Sequence, residues 1–97
     1  MDTDRNPLPI NFGKRLQTCR SRADISQEVL GEIASLHRTE IGLLERGERE
    51  PRLSTIVRLA GALEVQLHEL VGEVGWKPAR TGIGVFEFRN LRDVPAE

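Results

Sequence analysis

Ninety-seven residues, 38% of them hydrophobic and 30% charged, with a net charge of −1, provide one small domain with a modest core and are too few for two. An aromatic content of 4% without tyrosine makes that core aliphatic, and the many Leu, Ile, Ala, Glu and Arg residues favour helix over strand. A single cysteine excludes an intramolecular disulfide, no apolar run approaches the roughly 18 residues of a membrane span, and the opening MDTDRNP is unlike a signal peptide, so a cytoplasmic, nucleoid-associated protein with no membrane partner is expected.

Residues 1–10 hold Pro7 and Pro9 among polar neighbours and read as a flexible arm. From Asn11, a potential N-cap, Phe12, Leu16 and Cys19 recur at i, i+4 and i+7, which predicts a first helix to about Ala23 with Cys19 as a buried core thiol. That helix is cationic, carrying Lys14, Arg15, Arg20 and Arg22 without an acid. The rest of the chain is balanced or acidic, so any attraction to DNA has to come from a local basic surface, from base contacts and from dimerisation.

Ser26 can cap a second helix ending near Ala34, with Glu28 at its positive end and Val29, Leu30 and Ile33 to bury. Ser35, Leu36 and His37 then lead into a third, whose Ile41 and Leu44 face the core and which Gly47 stops. REPRLSTIVRLAGAL predicts a fourth with Leu53, Ile56, Val57, Ala60 and Leu63 as its buried stripe, and QLHELVG a short fifth carrying Leu67, Leu70 and Val71. Beyond Gly72, VFEFR alternates and predicts a strand at 84–89 within a C-terminal extension, 73–97. A lone strand is not stable, so it has to pair with another chain, dock through Trp76, Phe86 and Phe88 onto the helices, or stay disordered.

Two helices across a three- to four-residue turn, the second with a solvent-facing first turn, match the helix-turn-helix unit, whose second helix enters the major groove. There Arg38 can donate twice to guanine, Thr39 can bond a base edge or touch a thymine methyl, and Glu40 can accept from cytosine. The alternative is a solvated, functionless turn. Residues 12–71, through SQEVLGEIA, LHRTEIGLLERGEREP and LSTIVRLAGALEVQLHELVG, resemble the Cro and phage-repressor type of helix-turn-helix domain, the xenobiotic-response-element (XRE-like) family.

The resemblance implies an all-α, five-helix lambda-repressor-like domain over 11–72. It implies base-reading positions at Arg38, Thr39, Glu40 and Leu43, and backbone contacts from Gln27, Arg46 and Arg49, with Arg20 and Arg22 added on a looser match. Gln27 also buttresses the next helix, His37 either contacts phosphate or caps the turn, and Glu45 bonds inside the domain. Five positions depart from the family pattern. Gly31 stands for Ala, Ser35 and Glu64 stand for glycines where a positive φ is needed, Leu43 stands for a polar base-reading residue and His37 for a small capping residue.

Enzyme readings find no support. His37 and His68 have no partners at metal-ligand spacing, TGIGV lacks the ending of a phosphate loop, and no nucleophile, base and orienting group stand together, so no metal or cofactor is expected. The expected function is that of a sequence-specific regulator, a repressor, binding an inverted repeat in double-stranded DNA as a homodimer. Its interface would lie at Leu67 and Leu70 of the fifth helix or in the strand at 84–89, with Trp76, Phe86 and Phe88 in need of cover. The competing class is an antitoxin-type interaction module whose C-terminal tail clamps a partner protein.

Overall fold

The computed structural model describes residues 6–89, and its elements run α1 (Leu8–Arg22), α2 (Gln27–Ala34), α3 (Arg38–Glu45), α4 (Leu53–Leu63), α5 (Leu67–Val71), β1 (Glu73–Lys77) and β2 (Val85–Arg89). The first five residues of the expected arm and the last eight of the extension lie outside the described residues.

Helix α1 buries Phe12, Leu16 and Cys19 as their spacing requires. It starts at Leu8, three residues before the expected Asn11 cap, because Pro7 supplies a fixed φ next to the first turn. Asn11 is therefore inside the helix, and its amide donates to the Val71 carbonyl at 2.9 Å. Burial pushes the Cys19 thiol above its ordinary pKa, with the nearby Glu69 adding to the effect, so it packs as a small apolar group.

The Ser26 hydroxyl accepts the Val29 N–H at 3.0 Å and caps α2. Its buried face is Leu30, Gly31 and Ala34; Val29 and Ile33, expected to be buried, are exposed. The face is turned because α3 returns closely over Gly31, where an added Cβ would meet the Leu36 carbonyl oxygen at 2.5 Å. Only the small-residue side of α2 can accept that approach. Ser35 makes the turn with φ 63°, and the Leu36 N–H donates to the Gly31 carbonyl at 2.8 Å.

Helix α3 buries Ile41, Gly42 and Leu44. On α4 the buried residues are Thr55, Leu59, Ala60 and Leu63, with Ile56 half-buried, whereas Leu53 and Val57 are exposed, contrary to the expected stripe. This helix is apolar on several sides, so 3.6-residue periodicity did not single out one of them. Glu64 ends it with φ 57°, completing the pair of left-handed non-glycine caps. The capping box of Gln66 and Glu69 starts α5, whose Leu70 is fully buried with Leu16, Leu30, Ile41, Leu44 and Leu59. Leu70 is thus part of the domain's own core and is not available as a dimer surface, a correction to its expected role.

The C-terminal extension contains a strand that the alternation of VFEFR did not disclose. Glu73–Lys77 pairs antiparallel with Val85–Arg89, matching Glu73 to Arg89, Val74 to Phe88, Gly75 to Glu87, Trp76 to Phe86 and Lys77 to Val85. The strand expected to be alone has its partner in the same chain.

Candidate nucleic-acid interface

The first turn of α3 is open to solvent because Ile41 and Leu44 hold its opposite side in the core. Arg38 and Thr39 are exposed there, and neither side chain bonds to another described residue. His37 caps the helix, its Nδ1 accepting the Thr39 N–H at 3.0 Å. An accepting Nδ1 leaves the ring proton on Nε2, so the same imidazole can cap the turn and donate outward. Leu43, one turn along, is half-buried.

Glu40 is differently placed. Its carboxylate takes a hydrogen bond from Arg49 Nη1 at 2.5 Å and is 23% exposed. Two residues read separately as base-reading and backbone-touching form one ion pair at the head of α3. The guanidinium offsets the carboxylate's charge at the head of the helix. Nothing in the local spacing disclosed this pair, since Gly47 reverses the chain between its members.

Arg46 pairs with Glu48 at 3.1 Å, both being more than half exposed. Such a bridge is worth about 0–1 kcal/mol, so Arg46 can exchange it for an outside anion at little cost. Arg22 is exposed at the end of α1.

Arg20 has another use. Its Nε and Nη2 donate to the two oxygens of Glu45 at 2.5 and 3.1 Å, its Nη1 donates to the Ile25 carbonyl at 2.8 Å, and only 16% of the side chain is exposed. The bond to Glu45 raises the guanidinium's pKa further. Gln27 Nε2 donates to the same carboxylate at 2.9 Å, so α1, α2 and α3 meet on one buried anion. Arg20 is therefore a strut of the domain rather than an exposed phosphate ligand, a correction with a clear cause. For Gln27 the buttressing contact is present, and one amide N–H is left for any phosphate. Arg58 was missed: from α4 it reaches the helix-turn-helix turn, donating to the Ser35 carbonyl at 3.4 Å. No spacing in the chain signals it.

Asn11 and Arg15 of the cationic helix also turn inward. Arg15 donates to the Glu69 carbonyl at 3.3 Å, beside the bond from Asn11 to Val71, so α1 caps the end of α5. Of the residues offered as a dimer surface, Leu67 is 46%, Trp76 51% and Phe88 36% exposed, and Phe86 lies edge-on to Trp76 at 4.9 Å between ring centroids. The structure brings Trp76, Phe86 and Phe88 together on one hairpin. Among the described residues no cluster of His, Cys, Asp and Glu suits a metal ion, and no helix is long and apolar enough to cross a membrane.

A family model described as a helix-turn-helix domain matches residues 11–73. The chain is 42% identical over 66 residues to control protein C.SmaI of Serratia marcescens, covering 68% of this chain and 79% of that protein. It is 38% identical over 64 residues to the immunity repressor protein of Bacillus phage phi105, covering 66% of this chain but 44% of the repressor. Among solved structures it is similar to the restriction-modification controller protein C.AhdI from Aeromonas hydrophila, with a TM-score of 0.62, 39% identity and coverage of 64% of this chain and 94% of that one. The P22 c2 repressor in complex with synthetic operator 9T gives a TM-score of 0.59 at 28% identity, over 62% of this chain and 91% of that one.

Proposed function

The chain belongs to the helix-turn-helix domain family, and from that premise we propose that it is a sequence-specific DNA-binding transcriptional regulator, a repressor that binds an inverted repeat as a homodimer. The observation that carries this reading is the open first turn of α3, where Arg38 and Thr39 stand exposed and unbonded to other described residues beside a carboxylate already paired with arginine. The reading is supported by relatives that are by name controllers and repressors. It assigns the protein no catalytic activity and places it in the cytoplasm with DNA.

In this reading Arg38, Thr39 and Glu40 face base edges, Leu43 meets a thymine methyl or the partner copy, and Gln27, His37, Arg46, Arg22 and Arg49, the last beside its partner Glu40, meet the phosphate chain. Base contacts select the sequence, whereas backbone contacts set register and affinity. One module spans too few base pairs for a unique site, which is why two copies are needed, with recognition helices about 34 Å apart.

The test is selection of random duplexes by the purified full chain at near-physiological salt, followed by sequencing. An enriched inverted repeat with half-sites about one helical turn apart is expected. On that operator, Arg38→Ala should relax preference at one base position at a cost of about 1–3 kcal/mol, and Arg46→Ala should weaken all duplexes alike. Equal behaviour of the two variants would reverse the assignment of roles. A pool without enrichment would sink the reading and favour a module completed by a partner protein.

A further inference from the structure

The hairpin has two unlike faces. The register puts Val74, Trp76, Phe86 and Phe88 on one of them and Glu73, Gly75, Lys77, Val85 and Glu87 on the other. Trp76 and Phe88 nevertheless remain substantially exposed. A two-stranded hairpin is at best marginally stable by itself and needs a third strand or a packed face. Among the described residues, β1 has β2 on one side and no strand on the other, so its outer edge offers a row of backbone donors and acceptors.

We propose that β1 pairs with the β1 of a second copy, antiparallel and centred on Gly75, so that two hairpins join into one four-stranded sheet. The proposal deepens the homodimer part of the reading above and rests on it.

The strand's own sequence selects this occupant. EVGWK laid antiparallel on itself places Glu73 opposite Lys77 of the copy, Val74 opposite Trp76 and Gly75 opposite Gly75, so that all five residues pair. Acid meets base on the polar face, and an aliphatic side chain meets an aromatic ring on the apolar face, the kinds of cross-strand pair that stabilise sheets. Shifting the centre by one residue leaves only three of the five paired within the strand. The other edge fares worse, because β2 centred on its own middle residue sets Glu87 against Glu87, like charges directly opposed.

Gly75 points the same way. Its φ is not positive, and a Cβ added there would meet nothing within 4 Å, so neither the backbone nor the packing of its own chain calls for glycine. Glycine inside a strand weakens it, because it has no side chain to pack, so this strand has the most to gain from added backbone pairing. On the proposed dyad two such residues face each other. Gly72, with φ 80°, turns the chain from α5 into β1, and Asn11 and Arg15 hold the carbonyls just before it, so the sheet would be carried at a fixed angle to the helices of each copy.

Cross-linking of the full chain tests this. Directly opposed residues on antiparallel strands have Cα atoms roughly 4.5–5.5 Å apart, within the Cα span of a disulfide, roughly 4.4–6.8 Å. Gly75→Cys, whose side chain has open space, should convert to a covalent dimer under mild oxidation. Glu87→Cys, on the far strand, and the unaltered chain, with only its buried Cys19, should stay uncross-linked. In parallel, emission from Trp76, the protein's one tryptophan, should shift to the blue as sedimentation shows the dimer forming.

Efficient cross-linking of Glu87→Cys in place of Gly75→Cys would assign the interface to β2 and overturn the proposal. A dimer by sedimentation without cross-linking at position 75 and without the emission shift would place the interface on the helices, overturning the proposal while the homodimer survives. A monomer at every concentration, with or without DNA, would remove the homodimer reading itself.

Discussion

The helical part of this molecule has a sealed core, whereas the hairpin, among the described residues, has none. Between α1 and α5 the largest apolar side chains are sealed at 0% exposure in several cases, and the buried carboxylate of Glu45 has three donors from Arg20 and Gln27. On the hairpin, Trp76 is half exposed and Ile83 at the tip 87% exposed. The two regions differ in where their stabilisation comes from. The helices build their core by crossing one another, whereas the two-stranded ribbon has an apolar face that no layer among the described residues covers. The matched family segment stops at Glu73, where the second region begins.

The contrast makes its largest prediction at Glu45. Glu45→Ala leaves Arg20 buried without its counter-charge and should lower unfolding stability by about 3–5 kcal/mol, read from urea midpoints at constant slope. A change under roughly 1 kcal/mol would mean that the network adds little to the helical domain, since that is the worth of an exposed pair.

The hairpin should show the opposite pattern. Trp76→Ser combined with Phe88→Ser should leave the helical unfolding midpoint in place yet raise the dimer dissociation constant about tenfold or more, equivalent to ~1.4 kcal/mol. Sedimentation equilibrium beside thermal unfolding separates the two effects. A fall in helical stability without loss of association would show that the aromatic face serves the helices.

The smallest effect lies in the turn. Ser35→Gly relieves a left-handed residue with a Cβ, at φ 63°, and should stabilise the domain by up to about 1 kcal/mol with operator binding unchanged. A loss of stability would mean that the serine side chain has a use that outweighs the strain.

Helix number and order were legible in the chain because their signals are local. Ser26 caps α2, Gly47 follows the end of α3, and Ser35 and Glu64 were singled out for positive φ before their angles were known. Which face each helix buries was only partly legible. Leu53, Val57, Val29 and Ile33 are as apolar as their buried neighbours, and the choice among them was made by the close approach at Gly31 and by the direction from which other helices pack. Strand β2 announced itself by alternation. Strand β1 did not, since EVGWK carries only two apolar residues around a glycine, a residue depleted in strands, and follows α5 with a single residue between.

At the candidate site, the exposure of Arg38 and Thr39 followed from the apolar spacing behind them. The roles of Arg20 and Glu40 did not, because their partners lie 25 and 9 residues away and an arginine's reach carries no sequence mark. Charge identifies which groups can meet phosphate; only the fold tells which of them are already engaged.

The two hydrogen bonds from α1 to the end of α5 span 60 and 54 residues of chain. A helix of five residues does not persist in water unaided, so α5 holds its shape through Leu70 in the core and through these bonds from the start of the chain. Contacts of such sequence separation bear a loop-closure cost that the local contacts of a helix do not. In the proposed dimer a second copy would read the edge of β1 only where α1 has closed on α5, which couples assembly to the folding of each chain.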